Sequence, residues 1–160
     1  MPHAVFSTRV GWMGVRGTSR GLTDVILPQP DKETVFTRLG VEDEGQLSTF
    51  SGFIRRCRDY FDGKQSPFTD LVDLSGGTSF QQRVWKACRL IPAGTTRSYG
   101  DLANEIGSPG AARAVGNALG KNPVPLVIPC HRVIASDGSP GGFSAGLKIK
   151  ELMLEIETAA

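Results

Sequence analysis

The 160-residue sequence has few cysteines and histidines, and their spacing excludes several kinds of site. Cys57, Cys88 and Cys130 are odd in number and far apart, which is a poor basis for a disulfide framework and fits a reducing cytosol. The sequence has only two histidines and no C-x-x-C pair, so we predict neither a zinc centre nor a local redox pair. We expect no metal and no other cofactor.

The sequence also lacks a long apolar run. Its longest apolar stretches fall far short of the ~18 residues that a membrane span needs, and the stretch MPHAVFSTRVGW lacks the apolar region of a signal peptide. With 39% hydrophobic and 21% charged residues, the chain has the composition of a globular protein. We therefore expect a cytoplasmic protein with no membrane partner.

The patterning predicts two domains. Residues 1–73 contain extended segments with glycine turns, followed by an amphipathic helix in LSTFSGFIRRCRDYFDG, which indicates a small domain of sheet and helix. Residues 74–78, in the stretch DLSGGTSF, are predicted to be a linker. Residues 79–160 are predicted to form a second, mostly helical domain that begins with the helix in SFQQRVWKACRLIP.

Two short helices are predicted in TTRSYGDLANEIGSPGAARAVGNALGKNP. Ser98-x-x-Asp101 has the form of a capping box, which places Tyr99 in the first turn of one helix, and the next helix should span about residues 111–121. Helices joined by a glycine-containing turn are typical of a helix-turn-helix. An ordinary helical hairpin fits this pattern equally well.

The second of these helices has a small, polar and basic outward face. At 100° per residue, the inward face holds Ala112, Val115, Gly116 and Leu119. The outward face then holds Arg113, Ala114, Asn117 and Lys121. From residue 83 to 132 the chain carries seven lysines and arginines against two acidic residues, which allows a polyanion partner. Such helices normally enter the DNA major groove, and the small side chains also allow a narrower groove.

A cysteine followed directly by a histidine lies in LVIPCHRVIAS, residues 126–136. The apolar run at 126–128 predicts a buried strand that ends at Pro129. Because adjacent side chains on a strand point to opposite faces, Cys130 and His131 need a local turn or a bridging water to interact. The residues alone leave two interpretations open, a nucleophilic cysteine assisted by a histidine and an inert buried cysteine. A carboxylate of LKIKELMLEIE would orient the histidine, but the sequence does not choose among Glu151, Glu155 and Glu157.

The sequence Ile-Pro-Cys-His-Arg-Val at 128–133 resembles the active-site signature of the O6-alkylguanine-DNA alkyltransferases. Over residues 79–157, about half the chain, further positions resemble the family in the same order and spacing: Ser98, Tyr99, Ala112, Arg113, Ala114, Val115, Gly116, Asn122, Pro123, Gly141, Ser144, Gly146, Leu147, Lys150 and Glu157. Residues 1–75 resemble it only loosely. The resemblance implies a mixed α+β fold, with a ribonuclease H-like N-terminal domain and a helix-turn-helix, winged-helix-like C-terminal domain.

The resemblance also implies roles for particular residues. Cys130 would accept the alkyl group, His131 would relay its proton through a water with Glu157 behind it, and Tyr99 would donate to the N3 atom of the base. Asn122 would tie the helix-turn-helix to the cysteine loop. The DNA-binding surface would consist of Arg113, Ala112, Ala114, Asn117 and Tyr99, with Arg113 filling the gap left by a flipped guanine. The substrate pocket would be lined by Pro125, Val133, Gly141, Phe143 and Ser144, and Phe143 stands where relatives often carry tyrosine.

These roles together predict a monomeric DNA repair protein that binds double-stranded DNA through the minor groove and has access to the nucleoid. It would flip out O6-alkylguanine, and less efficiently O4-alkylthymine, and transfer the alkyl group irreversibly to Cys130. No second cysteine stands nearby in the sequence, so we expect a single turnover. Two alternatives remain, a sensor of alkylated bases without chemistry and an unrelated Cys-His hydrolase. Cys130 argues against the sensor, because such relatives replace the reactive cysteine.

Overall fold

The computed structural model describes residues 1–139, 141 and 146–159. They form two compact units, residues 1–73 and 74–159. The mixed α/β class predicted from the sequence is confirmed. The use of residues 74–78 as a linker between domains stays a prediction.

The first unit is a three-stranded antiparallel sheet with helices on both faces. Its strands are β1 (His3–Thr8), β2 (Gly11–Thr18) and β3 (Gly21–Gln29), in the order β1-β2-β3. Helix α1 (Lys32–Leu39) follows, and a 3₁₀ turn (Leu47–Phe50) leads into α2 (Ser51–Phe61).

Neighbouring residues of β1 show why the two helices lie on opposite faces of this sheet. Val5 packs in a buried cluster with Val35 and Leu39 of α1. The next residue, Phe6, meets Phe53 of α2 edge to face, with ring centroids 6.4 Å apart. Successive side chains of a strand alternate between faces, so both faces of the sheet are covered.

The second unit holds α3 (Ser79–Arg89), β4 (Arg97–Ser98), α4 (Tyr99–Glu105), α5 (Ala112–Gly120), β5 (Val133–Ile134) and α6 (Leu147–Ala159). Helix α3 contacts both α4 and α5. The buried indole of Trp85 donates a hydrogen bond of 2.8 Å to the carbonyl of Ala118, which fixes α3 against α5. None of the described helices is long and apolar enough to cross a membrane.

The two helices predicted after residue 95 are α4 and α5. The capping box predicted before α4 is present, with the Asp101 amide donating to Ser98 Oγ at 2.9 Å and the Ser98 amide donating to Asp101 Oδ2 at 3.2 Å. Between the helices, Gly107 and Gly110 have φ values of 75° and 83°. Only glycine adopts this left-handed backbone readily, so the tight turn between α4 and α5 depends on both.

Candidate active site

The segment before the cysteine is a turn and not the strand that its apolar residues predicted. Pro125 and Ile128 pair in an isolated bridge, and the two residues between them form a turn. Leu126, Val127 and Ile128 are all buried. The prediction failed because a short apolar run reports burial, and burial is shared by strands and by compact internal turns.

This turn holds a backbone conformation that a leucine rarely adopts. Leu126 has a φ of 78°, in the left-handed region, which costs a non-glycine residue roughly 1–2 kcal/mol. Asn122 supports the turn from both sides, because its Nδ2 donates to the Ile128 carbonyl at 2.9 Å and its Oδ1 accepts from the Val124 amide at 3.0 Å. The structure thus places Asn122 between the end of α5 and the cysteine.

Cys130, His131 and Arg132 form a single 3₁₀ turn directly after Pro129. The Cys130 amide donates to the Ile128 carbonyl at 2.8 Å, and the Arg132 amide donates to the Pro129 carbonyl at 2.9 Å. The local turn that Cys130 and His131 require is therefore present. In a turn of this kind, consecutive side chains need not point to opposite faces as they do on a strand.

The Cys130 thiol is buried, with 7% of the residue exposed. Burial raises its pKa, while a hydrogen bond from Asn122, the charge of Lys150 and the backbone amides of Cys130 and His131 lower it. Burial has the larger effect, so the resting thiol keeps its proton at neutral pH. These four effects would stabilise a thiolate once the proton has left.

His131 is fully buried and faces a carboxylate. Its Nε2 lies 2.6 Å from Oε2 of Glu157 on α6, while Glu151 and Glu155 are exposed. The structure therefore brings together His131 and the glutamate that the resemblance implies. Burial, together with the charges of Arg132 and Lys150, lowers the pKa of His131 although Glu157 raises it, so the imidazole is neutral at neutral pH.

The neutral imidazole must carry its single proton on one nitrogen. A carboxylate can only accept a hydrogen bond, so the Nε2 that faces Glu157 carries the proton. The other nitrogen, Nδ1, is then an acceptor, and it makes no hydrogen bond to any of the described residues. This tautomer follows from the hydrogen-bond network.

Two cations, Lys150 and Arg132, complete this cluster. Lys150 of α6 is fully buried and donates from Nζ to the Val133 carbonyl at 2.8 Å. Burial lowers the pKa of Lys150, and a charge on Cys130 raises it. The resemblance included Lys150 but gave it no role, because the burial of a lysine cannot be read from the sequence.

Arg132, to which the resemblance assigned no role, makes its contacts within the protein. Its Nε donates to Glu157 Oε1 at 2.8 Å and its Nη2 donates to Glu157 Oε2 at 3.0 Å. Its Nη1 donates to the Ile91 carbonyl at 2.7 Å. Arg132 therefore joins the far end of α6 to the segment that follows α3.

Tyr99 enters the site through a short parallel pairing. Ser98 of β4 pairs with Ile134 of β5, which places the start of α4 beside the segment that follows the cysteine turn. Tyr99 is half-buried, and its pKa is raised first by burial and then by the charge of Cys130. The phenol therefore keeps its proton and can act as a donor.

The predicted pocket residues are only partly described. A Cβ built on Gly141, whose φ is 69°, would lie 2.8 Å from the Tyr99 hydroxyl, so Gly141 directly adjoins Tyr99. Pro125 is half-buried and Val133 is fully buried. Phe143 and Ser144 lie outside the described residues.

The outward face of α5 is as predicted in its exposure. Arg113, Ala114, Asn117 and Lys121 are exposed, whereas Val115 and Leu119 are buried and Ala112 and Gly116 are half-buried. An exposed basic and small face of this kind is suited to close contact with a polyanion. The use of this face in DNA binding stays a prediction.

The remaining cysteines, Cys57 and Cys88, are also buried. Cys88 on α3 nevertheless lies close enough to Cys130 that a charge on Cys130 adds to the rise in the pKa of Cys88, which burial dominates. The sequence did not show this proximity. Among the described residues no group of three or more His, Cys, Asp or Glu side chains could hold a metal ion.

These features define a protein with a buried thiol that is followed in the same turn by a buried histidine–glutamate pair, beside two short helices joined by a glycine-containing turn. Residues 79–159 match the family model of the 6-O-methylguanine DNA methyltransferase DNA-binding domain. The chain is 51% identical over 108 residues to the Mycobacterium bovis methylated-DNA–protein-cysteine methyltransferase, a match that covers 68% of this chain and 65% of that protein. It is 38% identical over 157 residues to the Methanosarcina acetivorans protein of the same name, covering 98% of each.

A solved structure agrees with these sequence matches. The crystal structure of Mycobacterium tuberculosis OGT in complex with DNA has a TM-score of 0.83 and 40% sequence identity, covering 98% of this chain and 92% of that chain. The chain therefore belongs to the family of methylated-DNA–protein-cysteine methyltransferases. The resemblance seen in the sequence around Cys130 is confirmed.

Proposed function

We propose that this protein repairs alkylated guanine in DNA by transferring the alkyl group to Cys130. The observation that carries the proposal is the setting of this thiol. It is buried, contacted by groups that favour a thiolate, and adjacent in the same turn to a neutral histidine held by a carboxylate. The similarity to Mycobacterium tuberculosis OGT, solved in complex with DNA, supports DNA as the partner.

The proton of Cys130 leaves through His131. The imidazole Nδ1 accepts it through a water, and Glu157 stabilises the imidazolium that forms. The thiolate then attacks the alkyl carbon, so the S–C bond forms as the C–O6 bond breaks. The guanine leaves with the electron pair of that bond, and the Tyr99 hydroxyl donates a hydrogen bond or proton to the base N3.

The target base has to leave the stack before it can reach a buried thiol. Extrusion of a nucleotide costs a few kcal/mol. Arg113, exposed on the small-residue face of α5, enters from the minor groove and fills the gap.

The protein acts as a monomer on double-stranded DNA. Its N-terminal unit is ribonuclease H-like and its C-terminal unit is winged-helix-like.

The product restricts the protein to one turnover. A thioether has no easy leaving group, and the buried thiol of Cys88 keeps its proton because burial raises its pKa. No described residue therefore supplies a nucleophile that would restore Cys130. O4-alkylthymine is a slower substrate of the same site.

A transfer experiment tests this proposal against its alternatives. Duplex DNA that carries O6-methylguanine with a labelled methyl group is mixed with the protein, once with protein in excess and once with DNA in excess, and the label is followed to protein, DNA and water. We expect the label on protein in both cases. With DNA in excess, the labelled protein should reach a plateau near one methyl group per protein molecule. Catalytic release of label to water would identify a hydrolase, and binding without loss of label from DNA would identify a sensor.

Variants identify the residue that accepts the alkyl group and the residue that enters the DNA duplex. Cys130→Ser should abolish transfer and keep DNA binding, whereas Cys57→Ser and Cys88→Ser should still transfer. Arg113→Ala should slow repair in duplex DNA by roughly tenfold or more and leave attack on the free base O6-methylguanine nearly unchanged. Equal losses on both substrates would rule out the flipping role.

A further inference from the structure

Arg132 belongs to the active-site signature, yet the mechanism above gives it no task. Its side chain is 14% exposed and makes three hydrogen bonds, two to the carboxylate of Glu157 and one to the carbonyl of Ile91. Paired hydrogen bonds from one guanidinium to one carboxylate fix the plane of the carboxylate as well as its position. Glu157 in turn is the group that faces His131 Nε2.

The ionisation state of Glu157 decides which nitrogen of His131 can act as a base. An ionised Glu157 only accepts, so Nε2 holds the proton and Nδ1 is left as the acceptor. A protonated Glu157 would instead donate to Nε2 and move the imidazole proton to Nδ1. An imidazolium would carry protons on both nitrogens. Either change would place a proton on the nitrogen that has to take one from Cys130.

The charged groups around His131 favour the first state. Glu157 and Lys150 face it from α6, and Cys130 and Arg132 flank it in the same turn. Lys150 and Arg132 both oppose a positive charge on the imidazole, while Glu157 favours one. Removal of the guanidinium charge would lessen this opposition and leave a buried carboxylate without its two charge-assisted hydrogen bonds. The His131–Glu157 pair would then take up one proton.

We propose that Arg132 is a positioning residue that holds Glu157 as an oriented carboxylate and thereby keeps His131 in the tautomer whose Nδ1 can accept the Cys130 proton. The inference rests on the proposed function, since it concerns the step that generates the thiolate. Its first readout, however, requires no transfer.

The test is nitrogen NMR of ¹⁵N-histidine-labelled protein. The chain has only two histidines, and His3 lies in the other unit beside Asp43, so it serves as an internal reference. In the wild type at neutral pH we expect His131 to carry its proton on Nε2. In Arg132→Met we expect a proton on Nδ1 at the same pH, with the His3 signals unchanged.

Two further variants make this test specific. Arg132→Lys keeps the charge and should keep Nδ1 unprotonated for most molecules. The matched control is Arg83→Met, which removes an arginine of the same unit that also binds a backbone carbonyl, that of Ile106, and should leave His131 unchanged. If Arg132→Met does not fold, Arg132→Gln replaces it, because it keeps an N–H donor without the charge and has the same expected result.

The second readout is the pH profile of methyl transfer from duplex DNA under single-turnover conditions. Arg132→Met should slow transfer roughly tenfold or more at neutral pH, because Nδ1 is already protonated. The rate of the Arg132→Met protein should recover in part at higher pH, where the extra proton is lost. The rate of the Arg132→Lys protein at neutral pH should lie between those of the wild type and of Arg132→Met. DNA binding should not change.

The outcomes separate this inference from the proposed function. An unprotonated Nδ1 in a folded Arg132→Met protein, with an unshifted pH profile, would overturn the role of Arg132. A wild-type protein that transfers no methyl group would overturn the proposed function. In that case the NMR measurement would still show whether Arg132 determines the tautomer of His131.

Discussion

Replacement of Asn122 by alanine should destabilise the second unit by about 2 kcal/mol. The side chain makes two hydrogen bonds across the turn, to the Ile128 carbonyl at 2.9 Å and from the Val124 amide at 3.0 Å. Each such bond contributes about 1 kcal/mol net. Ile128 is fully buried, so water cannot easily replace the lost donor, and the turn must still hold Leu126 in a left-handed conformation.

The assay is urea unfolding followed by tryptophan fluorescence in a Trp12→Phe background, so that Trp85 reports on the second unit alone. The control is Asn104→Ala, which removes an exposed amide from α4 and should cost less than about 0.5 kcal/mol. The same Asn122→Ala protein should show a higher pKa of the Cys130 thiol, because the Asn122 hydrogen bond lowers it. A loss of stability no larger than that of the control would refute this account of the turn.

Three other predictions concern the charges and space around the thiol. Lys150→Met should raise the pKa of Cys130, seen as a shift to higher pH in its rate of reaction with iodoacetamide. Gly141→Ala should slow inactivation by O6-benzylguanine roughly tenfold, because its Cβ would lie 2.8 Å from the Tyr99 hydroxyl and narrow the pocket; an unchanged rate would contradict this. Since burial lowers the pKa of His131, the unfolded chain binds more protons below pH of about 6.5. The free energy of unfolding should therefore fall as pH drops below that value, and His131→Asn should reduce this dependence.

Helical spacing and cap residues predicted most of the second unit. The apolar stripe of α3, the capping box at Ser98 and the exposed face of α5 are local properties, in which side chains three or four positions apart share a face. Gly107 and Gly110 likewise indicated a turn because of their backbone freedom. Such features need no knowledge of distant contacts.

The geometry around Cys130 could not be predicted in the same way. Leu126 is left-handed against its own preference, and only the contacts of Asn122 and the surrounding core make this possible. Arg132 donates a hydrogen bond to the Ile91 carbonyl, and Lys150 donates one to the Val133 carbonyl. Both partners are distant in the chain, so the sequence does not reveal these contacts. Family resemblance selected Glu157, but local pattern could not distinguish it from the exposed glutamates of the same helix.

The pairing of Ser98 with Ile134 has a consequence for engineering. The exposed face of α5 lies in the segment between these two residues, while β4, which directly precedes Tyr99, and β5, which directly follows the cysteine turn, are joined by their own backbone hydrogen bonds. Exposed positions of α5 can therefore be exchanged while Tyr99 and Cys130 keep their spacing. In this fold the exposed face of α5 can be varied separately from the cysteine turn.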